Sequence, residues 1–273
     1  MNYVQTSINY GPTRLTHFLD FMEAQGVEEL GQITGSKVQQ FFEELSKRKS
    51  QITGEVLSLA TLRNYLTTIN RFARYLRQTG EGNIEVPVKF KGQHKPAIEV
   101  LTKLEIDRLY TACDDSLLGI RDRALLAVFY GCGARRNEGA HLEVRDILPD
   151  KNLLYIRQGK GYKERYVPMV GRVKKDMITY VTTARPMMST AESKEHFFIG
   201  MTGKPLSKSG LYERYKNLKK KADITKPGGL HMLRHSIATH LLISGMGLSE
   251  IAKFLGHRSL ESTQIYTHLK DAL

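Results

Sequence analysis

HMLRHSIATHLLISGMGLSEIAKFLGHRSLESTQIYTHL, residues 231–269 of this 273-residue chain, brings imidazole, guanidinium and phenol side chains into one short stretch. His231 and Arg234 stand three apart at the head of an apolar run through Leu233, Ile237, Leu241 and Leu242, a period that predicts a helix with both polar groups on one face. Gly256 has the character of a helix stop, His257 follows it, and a further short helix starting near Ser259 carries Tyr266. A phenol has an ordinary pKa of about 10, so as a nucleophile it needs a base and nearby positive charge. The two imidazoles and the guanidinium supply both, and a guanidinium matches the paired oxygens of a phosphate, which makes a phosphodiester the natural electrophile.

Working outward, the order H-x-L-R-H, L-G-H, I-Y-T-H is preceded by two more pieces: Gly133-Ala134-Arg135-Arg136-Asn137-Glu138 and Gly159-Lys160-Gly161-Tyr162-Lys163-Glu164-Arg165. Together they resemble the tyrosine recombinases, the phage integrase family, whose signature contains a G-x-R-x-x-E arginine box and a G-K-G-x-K-x-R hairpin turn. The resemblance spans residues 133–269 and is closest to the Xer-like or transposon-borne two-domain members. One departure stands out: the residue after the family's arginine is usually apolar or small, and Arg136 is neither. The box itself marks Arg135 as the candidate, with Glu138 three residues on to hold it.

The composition bears on the partner. A hydrophobic content of 41% is ordinary for a globular protein, but the net charge of +13 is not, and it signals a polyanion. Residues 100–273 hold 29 Lys and Arg against 18 Asp and Glu, whereas residues 1–99 hold 12 against 10. Cys113 and Cys132 are the only cysteines, at a spacing that suggests neither a zinc site nor a disulfide framework. No apolar run approaches a membrane span, and the first residues lack a signal-peptide pattern, so the expected location is the cytoplasm, at the nucleoid.

The first 85 or so residues predict a helical bundle. Leu15, Phe18, Leu19 and Met22 repeat at helical spacing before Gly26, and Val38, Phe41, Phe42 and Leu45 do so after Thr34. From Ser58 to Thr79, Leu62, Leu66, Ile69, Phe72, Ala73 and Leu76 make a stripe ending at Gly80, while Arg63, Arg71, Arg74 and Arg77 lie off it without an acidic residue in the span. Those four arginines are candidate DNA contacts. Residues 86–100 read as an extended linker. Beyond it come a capping box at Thr102 to Glu105, a helix from Leu118 to about Gly131, a β-hairpin built on Leu153 to Arg157 and Tyr166 to Pro168, and helices at 172–183 and 207–221. The second of these ends in Lys219, Lys220 and Lys221, of which Lys219 and Lys220 are further candidates for the DNA backbone, with Lys163 and Arg165 in the hairpin. His235 and His240 read as structural.

The resemblance implies the rest. The fold is expected to be mainly α with a small antiparallel β-hairpin, an amino-terminal helical bundle and a mixed α/β catalytic domain closing as a C-shaped clamp on DNA. The domains are then residues 1–88 for core binding, 89–100 for the linker and 101–273 for catalysis. Tyr266 is the nucleophile, Arg135 and Arg234 stabilise the phosphate, His231 and His257 assist with protons, Lys160 is the general acid, and no metal or other cofactor is needed. The implied activity is site-specific recombination through a 3′-phosphotyrosyl intermediate and a Holliday junction, by a homotetramer on two double-stranded DNA sites, with an accessory or partner recombinase as a further partner class and no membrane. Two alternatives stay open: a type IB topoisomerase-like enzyme that only relaxes DNA, and a non-cleaving DNA-binding protein.

Overall fold

The helical periods of the first 80 residues become α1 (Gln5–Ala24), α2 (Gly35–Lys47) and α3 (Leu59–Thr79). The structure, a computed structural model, describes residues 5–50, 54–90, 99–157, 164–257 and 261–264. Three of the candidates, Lys160, Lys163 and Tyr266, lie outside the described residues. The chain divides into two units, Met1–Lys95 and Pro96–Leu273, a division that falls within the stretch read as a linker.

In the first unit, side-chain caps start two of the helices. The hydroxyl of Thr34 accepts from Lys37 N at the head of α2, and that of Ser58 accepts from Thr61 N at the head of α3. Gly80 ends α3 in the left-handed region at φ 75°. The core joins Phe18 and Met22 of α1, Val38, Phe41, Phe42 and Leu45 of α2, and Leu62, Tyr65, Ile69, Ala73 and Leu76 of α3. Tyr65 belongs to the buried stripe, and Leu66 and Phe72, read as core, are only partly buried at its edge.

The second unit opens with α4 (Lys103–Thr111), where Thr102 N donates to Glu105 at 2.7 Å and Glu105 N donates to the Thr102 hydroxyl at 3.2 Å, the reciprocal capping box. Next comes α5 (Leu117–Leu126), which does not run on as one α-helix to Gly131. It passes into a π-turn over Ala127–Gly131, in which Cys132 N donates to Ala127 O at 2.9 Å. A π-turn widens the helix by one residue and often lies at a functional site; here it delivers the chain to Gly133 and α6 (Arg136–Ala140). The segment read as one helix over 172–183 also differs: α7 (Arg172–Thr179) and α8 (Arg185–Met188) are joined by a π-turn at Tyr180–Ala184. Pro186 follows directly on that π-turn, as the second residue of α8.

Between α6 and α7 stands an antiparallel sheet in the order β1 (Ile147–Leu148), β2 (Leu153–Ile156), β3 (Arg165–Pro168), with Leu154 opposite Val167 and Ile156 opposite Arg165. Leu154, Ile156 and Val167 face the core, as strand alternation requires, while Tyr155 and Tyr166 stack on the other face at 4.9 Å between ring centroids. The chain continues through α9 (Lys208–Lys221), α10 (Leu230–Ile243), α11 (Leu248–Leu255) and α12 (Glu261–Gln264). One core takes in Leu109, Leu125, Phe129, Leu154, Val167, Tyr180, Phe197, Tyr215 and Leu233. Among the described residues, no helix is long and apolar enough to cross a membrane.

Candidate active site

The end of α11 organises the site. An α-helix leaves its last four carbonyls without partners inside the helix, and its dipole makes that end attractive to cations. At α11, Gly256 N donates to Lys253 O and His257 N to Ala252 O, so the backbone satisfies two of them. The next three carbonyls each accept from a different arginine. Arg165 Nε donates to Phe254 O at 3.0 Å, Arg234 Nη2 to Leu255 O at 2.8 Å, and Arg135 Nη2 to Gly256 O at 2.9 Å. Three guanidiniums that would otherwise repel one another are thus gathered on one negative pole.

Two glycines make this approach possible. Gly256 sits at φ 66°, and a Cβ there would come within 3.0 Å of Arg165 Cδ and Nη1. Gly133, at φ 58°, offers its carbonyl to Arg234 Nη1 at 2.6 Å, and a Cβ there would lie 2.7 Å from Leu255 Cδ2. Arg234 is therefore fixed from two sides, by the turn after the π-turn and by the end of α11, and is only 3% exposed.

Glu138 ties the remaining two arginines together. Its Oε1 accepts from Arg135 Nη1 at 2.7 Å and from Arg165 Nη1 at 3.1 Å; its Oε2 accepts from Arg165 Nη2 at 2.9 Å and from Arg135 N at 2.8 Å. Burial alone would raise this carboxyl's pKa, but the bonds and charges of Arg165 and Arg135 outweigh it and hold the group down at about 2. At neutral pH Glu138 is an anion.

His231, near the start of α10, keeps an exposed edge, whereas His257, just past Gly256, is half-buried. His257 Nδ1 lies 2.7 Å from the Thr263 hydroxyl on α12, which fixes the ring's orientation. Burial, followed by the charges of Arg234, Arg135 and Arg165, pushes its pKa down to about 4; burial and the charges of Arg234, Arg135 and Arg136 also lower that of His231. A neutral imidazole among guanidiniums can accept a proton from an attacking group, and three guanidiniums against one carboxylate leave a site that favours an oxyanion.

The profile of the phage integrase family matches residues 99–272. The chain belongs to that family. Two relatives named tyrosine recombinase XerC cover nearly all of it. That of Oceanobacillus iheyensis is 33% identical over 273 residues, 98% of this chain and 87% of the relative, and that of Lacticaseibacillus casei is 32% identical over 281 residues, 98% and 91%. A solved structure of XerH site-specific recombinase bound to palindromic difH substrate, in a post-cleavage complex, has a TM-score of 0.77 at 22% identity, covering 98% of this chain and 77% of that one, and bears out the fold. This phage integrase family member is a site-specific tyrosine recombinase, as the resemblance implied.

Of the residues that the family's motifs single out, the structure brings together Arg135, Glu138, His231, Arg234 and His257, while Lys160 and Tyr266 are outside the described residues. Arg136, the departure from the family's box, is exposed, and its charge still reaches His231. Two candidate DNA contacts need correction. The Arg165 side chain is only 8% exposed and donates to Glu138 and Phe254 O, so it faces protein and not a duplex. Lys219 is partly buried, donating to Lys226 O at 2.6 Å beside the Tyr215 ring, whereas Lys220 is exposed. Arg71, Arg74 and Arg77 are exposed on α3 and Arg63 is partly so.

His240, read as structural, is so: it is buried with Nδ1 2.9 Å from the Tyr130 hydroxyl. His235 is less remote from the site than that reading made it. Its ring meets that of His231 edge-on at 5.7 Å, and burial with the charges of His231 and Arg234 brings its pKa down to about 4. The i, i+4 spacing from His231 was the available signal. Nothing in the sequence pattern signalled the buried set beneath α5 and α9, where Asp122 accepts from both Arg121 and Arg214.

Proposed function

We propose that this recombinase cuts and rejoins double-stranded DNA through Tyr266. The Tyr266 oxygen attacks a backbone phosphate, a phosphorus–oxygen bond to the tyrosine forms, and the bond to the 5′-oxygen breaks, leaving a 3′-phosphotyrosyl link and a 5′-hydroxyl. His231 and His257 supply hydrogen bonds and general-base help as the phenol gives up its one proton, and Lys160 gives a proton to the departing 5′-oxygen. Arg135 and Arg234 hold the non-bridging oxygens, where negative charge grows in the transition state. The 5′-hydroxyl of a second duplex reverses the step, so no external energy source is consumed, and paired exchanges pass through a Holliday junction in a tetramer. An accessory or partner recombinase would complete the assembly where the two sites differ.

The observation that carries this reading is that Arg135 and Arg234 converge on neighbouring carbonyls of the turn that bears His257. Supporting it, Thr263, which holds His257, precedes Tyr266 by only three positions. Residues 1–88 would bind the core of the site, with Arg63, Arg71, Arg74 and Arg77 of α3 on the phosphates, residues 89–100 would link to the catalytic residues 101–273, and the two would close on the duplex as a clamp. Lys220 and Lys163 would add backbone contacts. In the cell the chain would act at the nucleoid.

The test is a denaturing-gel assay on nicked duplexes drawn from a randomised library and from DNA flanking the gene. A covalent adduct that forms with the wild type and not with Tyr266→Phe is the expected result, and a second labelled duplex should yield recombinant strands. Relaxation of supercoils without strand exchange would favour the topoisomerase-like alternative, and tight binding without any adduct would leave a DNA-binding protein only.

A further inference from the structure

Arg165 presents a problem that its sequence context does not. It follows a glycine- and lysine-rich sequence suited to a DNA surface, yet it turns inward to make a two-pronged bond with a carboxylate whose side chain is 1% exposed. That carboxylate already has an arginine. Glu138 alone could orient Arg135, accepting from both its Nη1 and its backbone N, so the second guanidinium is not required for hydrogen bonding.

It is required for charge. A buried carboxylate in contact with Arg135 attracts the same positive charge that a phosphate would use, and in a site of low dielectric the cancellation is severe. Placing Arg165 across both Glu138 oxygens gives the carboxylate a second, better-matched counter-ion. The set of two arginines and one glutamate then retains a net positive charge on the Arg135 side, whose side chain is the more exposed of the two at 18% against 8%. The Phe254 carbonyl, on the end of α11, holds Arg165 in place at the same time.

We propose that Arg165 is a positioning residue that neutralises Glu138, so that Glu138 can aim Arg135 without cancelling its charge towards the scissile phosphate. The inference rests on the reading of Arg135 as a phosphate-binding arginine. It assigns Arg165 no contact with DNA, and it makes Glu138 harmful when Arg165 is absent.

The experiment measures two quantities for each full-length variant: affinity for a cleavable duplex and the single-turnover rate of adduct formation at saturating duplex. Arg165→Met should slow the rate by about 100-fold, the scale for loss of one oxyanion-stabilising group, while the affinity changes by less than about twofold. Adding Glu138→Gln to Arg165→Met should restore the rate by about 10-fold or more, since the uncompensated carboxylate is removed. Arg165→Lys, which keeps the charge without the fork, should stay within about 10-fold of wild type, and if Arg165→Met does not fold, the neutral Arg165→Gln takes its place in every comparison. A weakened affinity with an unchanged saturating rate would make Arg165 a DNA contact and overturn the inference. So would a double variant no faster than Arg165→Met, or a Lys variant as slow as the Met one, either of which describes a purely structural role. The wild-type arm reports separately on the underlying reading: if it forms no adduct, the cleavage function fails and this inference falls with it, whereas adduct formation unaffected by Arg165→Met overturns the inference alone.

Discussion

His257 and His235 are imidazoles kept neutral by their surroundings, burial first and neighbouring positive charge second. In the unfolded chain each would take up a proton near pH 6.5, but in the folded protein only near pH 4. Between those values the unfolded state binds more protons, so stability present above pH 6.5 is lost as the pH falls towards 4. Urea melts should therefore show the midpoint dropping from pH 7 to pH 5, with a shallower drop in His257→Gln; an identical slope in the variant would show that this ring is not held neutral. At this scale the sequence was legible in which residues come together: the motifs single out Arg135, Glu138, His231, Arg234 and His257, and the fold gathers them around the end of α11. It was not legible at Arg165, because the direction of that side chain depends on Glu138, 27 residues before it, and on Phe254, 89 residues after it. Local sequence there describes only a basic turn.

At the scale of the element, the carboxy-terminal end of α11 is the hub for three guanidiniums, and Gly256 is what leaves room there for Arg165. Gly256→Ala places a Cβ in the left-handed region, at a cost of about 1–2 kcal/mol, and against Arg165 as well. The expected outcome is a destabilisation of at least that size in chemical denaturation together with a slower adduct rate; a variant as stable and as fast as the wild type would contradict the hub. The helices themselves were mostly visible in apolar periods and caps, including Thr34, Ser58 and the Thr102–Glu105 box. The π-turn at Ala127–Gly131 was not, since Ala124 to Phe129 are all buried and such a continuous apolar run has no period for an inserted residue to break. The turn at Ala127–Gly131 matters most, because it sets Gly133 beneath Arg234.

For the whole molecule, the charge of +13 and the exposed Arg71, Arg74 and Arg77 on α3 call for a polyanion. If those three meet phosphates, replacing them together with alanine should reduce the slope of log affinity against log salt by about 3 and leave the melting temperature unchanged. An unchanged slope would assign them to solvent. The central event we propose is the transfer of a DNA phosphate to Tyr266. The most direct test is mass spectrometry of the protease- and nuclease-digested covalent adduct. The expected result is a nucleotide on the peptide containing Tyr266, joined through its 3′-phosphate, with a free 5′-hydroxyl on the other side of the break. A nucleotide on another residue, or joined through a 5′-phosphate, would contradict it.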